Sequence, residues 1–197
     1  GLTRAEAREL LTHRHYLGPM MVRMGDADGL IGGLIHKYSD TVRPALQTIG
    51  LDANARLAAG MYMMVFKSEL MFFADPVINI EPSAQDLAEI ALCTAETARS
   101  FDVEPRVAML SFSNFGSSRH PQADKVRQAT QIIRQRAPQL EVEGEMQADL
   151  ALTPAMLEDA YPFAELTGRA NVLVFPDLSS ANVAYKLTQC LAGAEAV

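Results

Sequence analysis

An α/β protein, its mainly parallel sheet flanked by helices, is what this sequence predicts, and three observations carry the prediction. Short apolar runs alternate along the chain with longer segments of helical apolar spacing. Capping boxes mark helix starts at Thr3 with Glu6 and at Ser83 with Asp86. Between Val107 and Ile133 the period itself changes. An apolar run ends at Leu110, a loop of Ser, Asn and Gly follows, and from about Pro121 the spacing of Val126, Ala129, Ile132 and Ile133 is helical.

Taken in order, the first helix begins near residue 4, carries Leu10 and Leu11 inward and is interrupted by Gly18 and Pro19. A second short helix through Met20, Met21 and Val22 ends at Gly25. Asp26-Ala27-Asp28-Gly29 turns into a buried strand, Leu30 to Ile35, whose Gly32 and Gly33 leave room for another backbone or a ligand. Ser39 or Asp40 caps the next helix. Pro44 is tolerated there in the first turn, and Thr41 and Arg43 lie beside the helix N-terminus.

The polar link from Asp52 to Gly60 reads as a lobe boundary. Met61 to Phe66 and Leu70 to Ala74 are buried strands joined by Lys67-Ser68-Glu69, and Met61, Met63 and Met64 fill core. The helix opened by Ser83 runs to about Phe101 and buries Leu87, Ile90, Ala91 and Ala98. Past the central strand, loop and helix, Pro138 ends the helix, Leu140-Glu141-Val142 makes a short strand and Gly144 turns the chain. Thr153-Pro154 opens a short helix, and Asn171 to Phe175 is the last strand. Pro176 and Asp177 lead into a final helix with the apolar stripe Val183, Ala184, Leu187, Cys190 and Leu191.

A length of 197 residues suits one large domain or two lobes. The net charge of -7, with Lys and Arg scattered, offers no groove for a polyanion, so nucleic acid is not an expected partner. No apolar run has signal-peptide character or approaches bilayer-spanning length, so a soluble, cytoplasmic protein without membrane contact is expected. Cys93 and Cys190 fall on apolar faces of predicted helices and read as small core residues. His13, His15, His36 and His120 lack the spacing of a metal-binding helix, so no metal site is expected; His36 and His120 read as hydrogen-bonded structural residues.

The loop after Leu110 gathers hydroxyls and backbone N–H groups at the positive end of a helix, which suits a phosphate or carboxylate. Ser111, Ser113, Asn114 and Ser117 are its candidate ligand-binding residues. Arg43 offers a planar fork of donors for a phosphate, with the Thr41 hydroxyl close by. Asp40 and Asp28 are alternative ion-pair partners for Arg43, and both roles stay open.

Three stretches together resemble one family. Ala27-Asp28-Gly29-Leu30-Ile31 followed by Asp40-Thr41-Val42-Arg43-Pro44-Ala45-Leu46 is similar to the signature of phosphate acetyl- and butyryltransferases. Glu104 to Ser111, and Val174-Phe175-Pro176-Asp177-Leu178 with Tyr185-Lys186, match the same family further on. The resemblance implies a two-lobe, isocitrate/isopropylmalate dehydrogenase-like architecture, here truncated. Residues 1–55 would be part of the first lobe, 56–178 the second, and 179–197 a helix returning toward the first. The chain starts inside what reads as an established helix and stops abruptly, so a fragment is expected. Lys186 matches a family lysine near the CoA cleft, with a solvated helix face as its alternative.

A branch of that family forms the C-terminal part of large bacterial NADP-dependent malic enzymes. Ser113-Asn114-Phe115-Gly116-Ser117-Ser118, and Asp149 with its lead-in Glu143 to Ala148, resemble that version more closely. The strand before His36 has Gly32 where the transferases carry a Ser, and Lys37 and Tyr38 replace a Ser/Thr pair after it. This resemblance implies a regulatory, non-catalytic module that binds acetyl-CoA as an effector and supports self-association into a homo-oligomer. NADP and a divalent metal would belong to parent domains preceding residue 1. The alternative it leaves is an active phosphate acetyl/butyryltransferase moving an acyl group between CoA and phosphate.

Overall fold

The computed structural model describes residues 2–32, 36–52 and 55–197, and the chain divides into two units, Gly1–Arg56 and Leu57–Val197. In the first unit lie helices α1 (Arg4–Leu10), α2 (Arg14–Met24) and α3 (Tyr38–Thr48). Both halves of the capping box at the start of α1 form: the Thr3 hydroxyl accepts from the Glu6 N–H, and the Glu6 carboxylate accepts from the Thr3 N–H at 2.7 Å. Tyr16 Oη donates to Gln47 Oε1 at 2.8 Å, tying α2 to α3.

Three expectations in this unit are corrected. Gly18 and Pro19 do not interrupt a helix; the break is at residues 11–13, and both lie inside α2. A residue before proline leaves the helical region chiefly because its Cβ meets the pyrrolidine ring, and Gly18 has no Cβ. The predicted strand at Leu30 to Ile35 is absent from residues 30–32, which have no regular structure and expose Leu30 and Ile31; Gly33, Leu34 and Ile35 lie outside the described residues. Helix α3 starts at Tyr38 after Lys37, with no side-chain cap. Pro44 is therefore interior, and Thr41 and Arg43 sit in the second turn, past the free N–H groups of the helix end.

In the second unit, β1 (Met61–Val65) and β2 (Leu70–Ala74) form the predicted antiparallel hairpin. Then come α4 (Ala84–Ser100), β3 (Arg106–Leu110), α5 (Pro121–Arg136), β4 (Glu141–Met146), α6 (Ala148–Leu152), α7 (Pro154–Ala160), β5 (Val172–Val174), α8 (Leu178–Ala192) and β6 (Glu195–Ala196). The sheet is mixed, in the order β4-β3-β5-β2-β1-β6. Pairs β4/β3, β3/β5 and β5/β2 are parallel, and β1 runs antiparallel to both its neighbours. The fold class read from the sequence is therefore the observed one, with an antiparallel hairpin and a short closing strand on one side.

Alternate strand residues face two separate cores. Phe72, Ala74, Val107, Met109, Val172 and Val174 pack against Leu87, Ile90 and Ala91 of α4 and Val126, Ala129 and Ile133 of α5. Met71, Phe73, Ala108, Leu110 and Leu173 pack on the other face against Leu150 of α6, Leu157 of α7 and Ala181 of α8. A strand buried on both faces has no polar side, which is why these runs are continuously apolar.

Further corrections fall in this unit. Strand β4 extends to Met146 and contains Gly144 (φ 143°) in place of a turn there. A Cβ on Gly144 would lie 2.6 Å from the Met109 carbonyl oxygen, so β3 and β4 approach each other closely only because that residue is glycine. The stripe on α8 is mostly exposed: Val183, Leu187 and Leu191 face outward, and Ala181 is the residue the helix buries. Cys93 and Cys190 are exposed, because the buried arc of α4 runs through Leu87, Ala91, Thr94 and Ala98, and α8 buries little of its surface. Among the described residues no helix is long and apolar enough to cross a membrane.

Candidate functional site

The chain leaves β3 toward α5, on the first core's face, and leaves β5 toward α8, on the opposite face. Neighbouring parallel strands whose exits diverge in this way open a crevice at their carboxyl ends, the usual ligand position in open α/β sheets. Residues 111–120 follow β3 and the turn at Pro176 and Asp177 follows β5, so both lie at the carboxyl ends of these two paired strands, where that rule puts a ligand. Lys125, in the second turn of α5, donates its Nζ to the Pro176 carbonyl at 2.7 Å, linking the two sides. Burial pushes the Lys125 ammonium below its ordinary value, with Asp177 and Glu81 opposing the shift. At the end of β2, buried Asp75 accepts N–H bonds from Val77 and Ile78 on Oδ1 and from Asn79 on Oδ2, fixing the loop beside it.

Ser111, Ser113, Asn114 and Ser117 come together in the loop after β3, and their side chains bond to one another, to Glu145 of β4 and to Gln147 just beyond it. The Ser113 hydroxyl donates to Glu145 Oε1 at 2.9 Å, lies 3.1 Å from the Ser117 hydroxyl and accepts from the Ser118 N–H at 3.0 Å. Asn114 exchanges two hydrogen bonds with Gln147, 2.8 Å from its Nδ2 and 2.7 Å to its Oδ1. The Ser111 hydroxyl accepts from the Ser113 N–H.

The backbone is committed as well. Asn114 N–H donates to Ser117 Oγ, Phe115 N–H to the Glu145 carbonyl, Gly116 N–H to Glu145 Oε1 and Ser117 N–H to the Asn114 carbonyl. The expected cradle of free N–H groups is therefore not open between 113 and 118, because the loop's own hydroxyls, the Asn114 carbonyl and Glu145 already take those donors. His120 caps α5, its Nδ1 accepting from the Gln122 N–H at 3.2 Å, in keeping with the structural role read for it.

Glu145 holds this arrangement. It is fully buried in β4, and Arg127 of α5 grips it with two bonds, Nε to Oε2 and Nη2 to Oε1, both at 2.9 Å. Burial alone would raise its carboxyl, but the bonds from Arg127, the Gly116 N–H and Ser113 outweigh it and hold the carboxyl below its ordinary value. Arg127 is also bonded to Asp124 at 2.8 Å, and Glu145 in turn keeps the guanidinium protonated above its ordinary range. Sequence reading missed Glu145, Arg127 and Lys125. The available signal was a carboxylate at every second position of Glu141-Val142-Glu143-Gly144-Glu145, with arginines at 127 and 134 on the preceding helix.

The remaining candidates lie elsewhere. Lys186 is exposed on α8, donating to Asn182 Oδ1 at 2.8 Å, with its Nζ 5.6 Å from the Tyr185 ring centre. Thr41 and Arg43 belong to the first unit. Arg43 lines a cleft of about 410 Å³ with His13, His15, Tyr16, Ser39 and Asp40. The Thr41 hydroxyl is buried and has no hydrogen-bond partner among the described residues. Among the described residues no group of three or more His, Cys, Asp or Glu side chains is placed to hold a metal ion.

Comparison with known proteins matches residues 1–197 to the phosphate acetyl/butaryl transferase family. The chain belongs to that family. It is 46% identical over 195 residues to a phosphate acetyltransferase of Bacillus subtilis (strain 168), a match covering 99% of this chain and 60% of the relative. A phosphotransacetylase crystal structure from Streptococcus pyogenes superimposes with a TM-score of 0.93 at 46% identity, over 98% of this chain and 60% of that one. The EutD phosphotransacetylase from Staphylococcus aureus gives 0.89 at 43%, over 99% and 60%. The chain thus spans about three fifths of the length of these relatives. As a member of the family it carries the loop of residues 111–118 and the Thr41–Arg43 segment on two different units, and the solved relatives share the fold that holds both.

Proposed function

We propose that this chain is the CoA- and phosphate-handling part of a phosphate acyltransferase that moves an acetyl group between CoA and inorganic phosphate. The observation that carries the reading is 46% identity, over 99% of the chain, to a phosphate acetyltransferase. In the direction of thioester synthesis, the CoA sulfur attacks the carbonyl carbon of acetyl phosphate. The C–S bond forms, the bond from carbon to the phosphate oxygen breaks, and phosphate leaves with the electron pair while the thiol proton passes to a base or to the leaving phosphate. Arg43 suits the phosphate by its planar fork, and Thr41 adds a buried hydroxyl that has no partner among the described residues. Ser111, Ser113, Asn114 and Ser117 shape the wall of the crevice along which the acyl-CoA lies, and Lys186 supplies a cation for a CoA phosphate. The proposal includes a cytoplasmic location, where CoA thioesters are available. It also includes self-association through the exposed stripe Val183, Leu187 and Leu191.

A second reading is favoured by particular residues: an acetyl-CoA sensor in an NADP-dependent malic enzyme, with NADP and metal bound by other domains. Gly32, Lys37 and Tyr38 stand where the family's hydroxyl residues are expected, and the 113–118 loop is internally saturated. One experiment separates the two. The full-length polypeptide carrying this chain is given acetyl phosphate and CoA while thioester formation is followed, and acetyl-CoA binding is measured by calorimetry. Turnover that Arg43→Ala abolishes supports the transferase. Binding without turnover supports the sensor, and neither one overturns both readings.

A further inference from the structure

The loop at the carboxyl end of β3 is too richly bonded to be only a connection, and its bonds converge on one residue of a different strand. Of the six N–H groups from Ser113 to Ser118, two go to Glu145, Phe115 to its carbonyl and Gly116 to its carboxylate, both at 2.8 Å. Two more go to the hydroxyls of Ser113 and Ser117, which are themselves linked to that carboxylate, Ser113 directly and Ser117 through Ser113. The Gln147 N–H and side chain complete the attachment, through Asn114 and the Phe112 carbonyl at 2.9 Å.

A buried carboxylate is an expensive way to hold a loop. Taking a carboxylate out of water is repaid only by an opposite charge and by donors on its remaining lone pairs, and a well-packed apolar residue of the same volume is often as stable. Glu145 has both kinds of partner, from Arg127 on one side and from the loop on the other. What the charge adds over an apolar residue is direction. The Arg127 fork fixes the carboxylate plane, and the plane fixes where Ser113 and Gly116 must lie.

We infer that Glu145, clamped by Arg127, is the positioning residue that sets the loop of residues 111–118 in the geometry that accepts an acyl-CoA. The inference rests on the proposal that this chain binds an acyl-CoA at the β3–β5 crevice. Glu145 touches no ligand itself. It acts through Ser113 and Gly116, leaving Ser111 and Phe112 at the mouth of the crevice, where Phe112 is exposed and stands edge-on to His120 at 5.7 Å. A rigid wall of this kind gains affinity by removing the cost of ordering the loop when the ligand arrives.

The test is acetyl-CoA calorimetry on the full-length polypeptide carrying this chain, with wild type, Glu145→Gln, Arg127→Lys and Ser113→Ala, at a temperature where circular dichroism shows each protein folded. Glu145→Gln keeps the side-chain shape and removes the charge that orients it; the expected result is a loss of affinity of about tenfold. Arg127→Lys, which keeps the charge but not the fork, gives a smaller loss, and Ser113→Ala a loss of the same kind. A purely structural role would lower the unfolding temperature and leave the affinity of the folded protein alone, so affinity within twofold of wild type in the folded variants overturns the inference. Where Glu145→Gln does not fold, Arg127→Lys and Ser113→Ala decide on the same criterion. Failure of the wild type to bind acetyl-CoA overturns the underlying reading and this inference with it. Binding by the wild type with unchanged variants overturns this inference alone.

Discussion

Replacing Glu145 by Gln, Arg127 by Met, and both together tests whether the buried pair acts as one unit. The Glu145 side chain is 0% exposed and that of Arg127 33%. Breaking a fully buried pair costs about 3–5 kcal/mol; with a third of Arg127 in solvent, the lower end applies, about 3 kcal/mol for Glu145→Gln. For a domain of this size that is a fall of roughly 6–12 °C in the unfolding midpoint. Once Gln is in place Arg127 has lost its buried charged partner and keeps only Asp124, so the second substitution costs less than it does alone, and the coupling is about 2 kcal/mol.

The pH dependence has a definite sign. The folded carboxyl lies below its ordinary value of 4.5, so the pair's stabilisation is complete above that pH and is lost as pH falls through the lower folded value. Urea unfolding followed by circular dichroism from pH 7 to pH 3 reads both effects. The wild type should lose more stability below about pH 4.5 than Glu145→Gln does. Additive single-mutant costs, or parallel acid limbs for the two proteins, would refute the account.

Other substitutions probe separate features. Gly144→Ala places a Cβ 2.6 Å from the Met109 carbonyl oxygen and 2.8 Å from its Cβ, at φ 143°; with backbone on one side of the clash, a loss of about 3 kcal/mol or more is expected in chemical unfolding, and a loss under 1 would show that β3 and β4 can separate there. Lys125→Met keeps the stem but removes the bond to Pro176, for an expected loss of about 1.5 kcal/mol by the same measurement. Leu191 is 82% exposed, so Leu191→Ser should change stability by less than about 0.5 kcal/mol in a monomer. A larger, concentration-dependent loss, followed by light scattering, identifies α8 as covered in a self-associated species.

Elements whose signal is local were legible in the sequence. The Thr3–Glu6 and Ser83–Asp86 boxes, Pro121 at the start of α5 and the Lys67-Ser68-Glu69 connection between β1 and β2 each state their structure within a few residues. What was not legible depends on partners distant in sequence. Glu143 and Glu145 broke the apolar pattern of β4, so the strand read as ending at Val142. They are buried because Arg134 and Arg127 on α5 meet them there, a fact about helix placement that no window of β4 contains. An apolar stripe on a helix ordinarily marks the face its own chain covers, but on α8 Val183, Leu187 and Leu191 are exposed, which nothing in the helix's own spacing reveals. In the candidate site, Arg43 and the loop stood out by residue type, whereas the residue that organises the loop did not.

Composition and donor accounting lead to different conclusions about the central loop. A run of Ser, Asn and Gly ahead of a helix offers many polar groups, and by residue type alone it is indistinguishable from an anion cradle. Buried polar groups nevertheless find partners in the great majority of cases, and the loop and the segment from Glu145 to Gln147 supply them to each other: Ser113 to Glu145, Asn114 to Gln147, Gly116 to Glu145. Donors already spent in this way would have to be broken to bind a phosphate, at a cost of about 1 kcal/mol or more each. The cations and hydroxyls still available for an anion are therefore to be sought off the loop. The buried Thr41 hydroxyl, without a partner among the described residues, and the exposed Arg43 two positions on meet that requirement in a way that Ser113 and Asn114 do not.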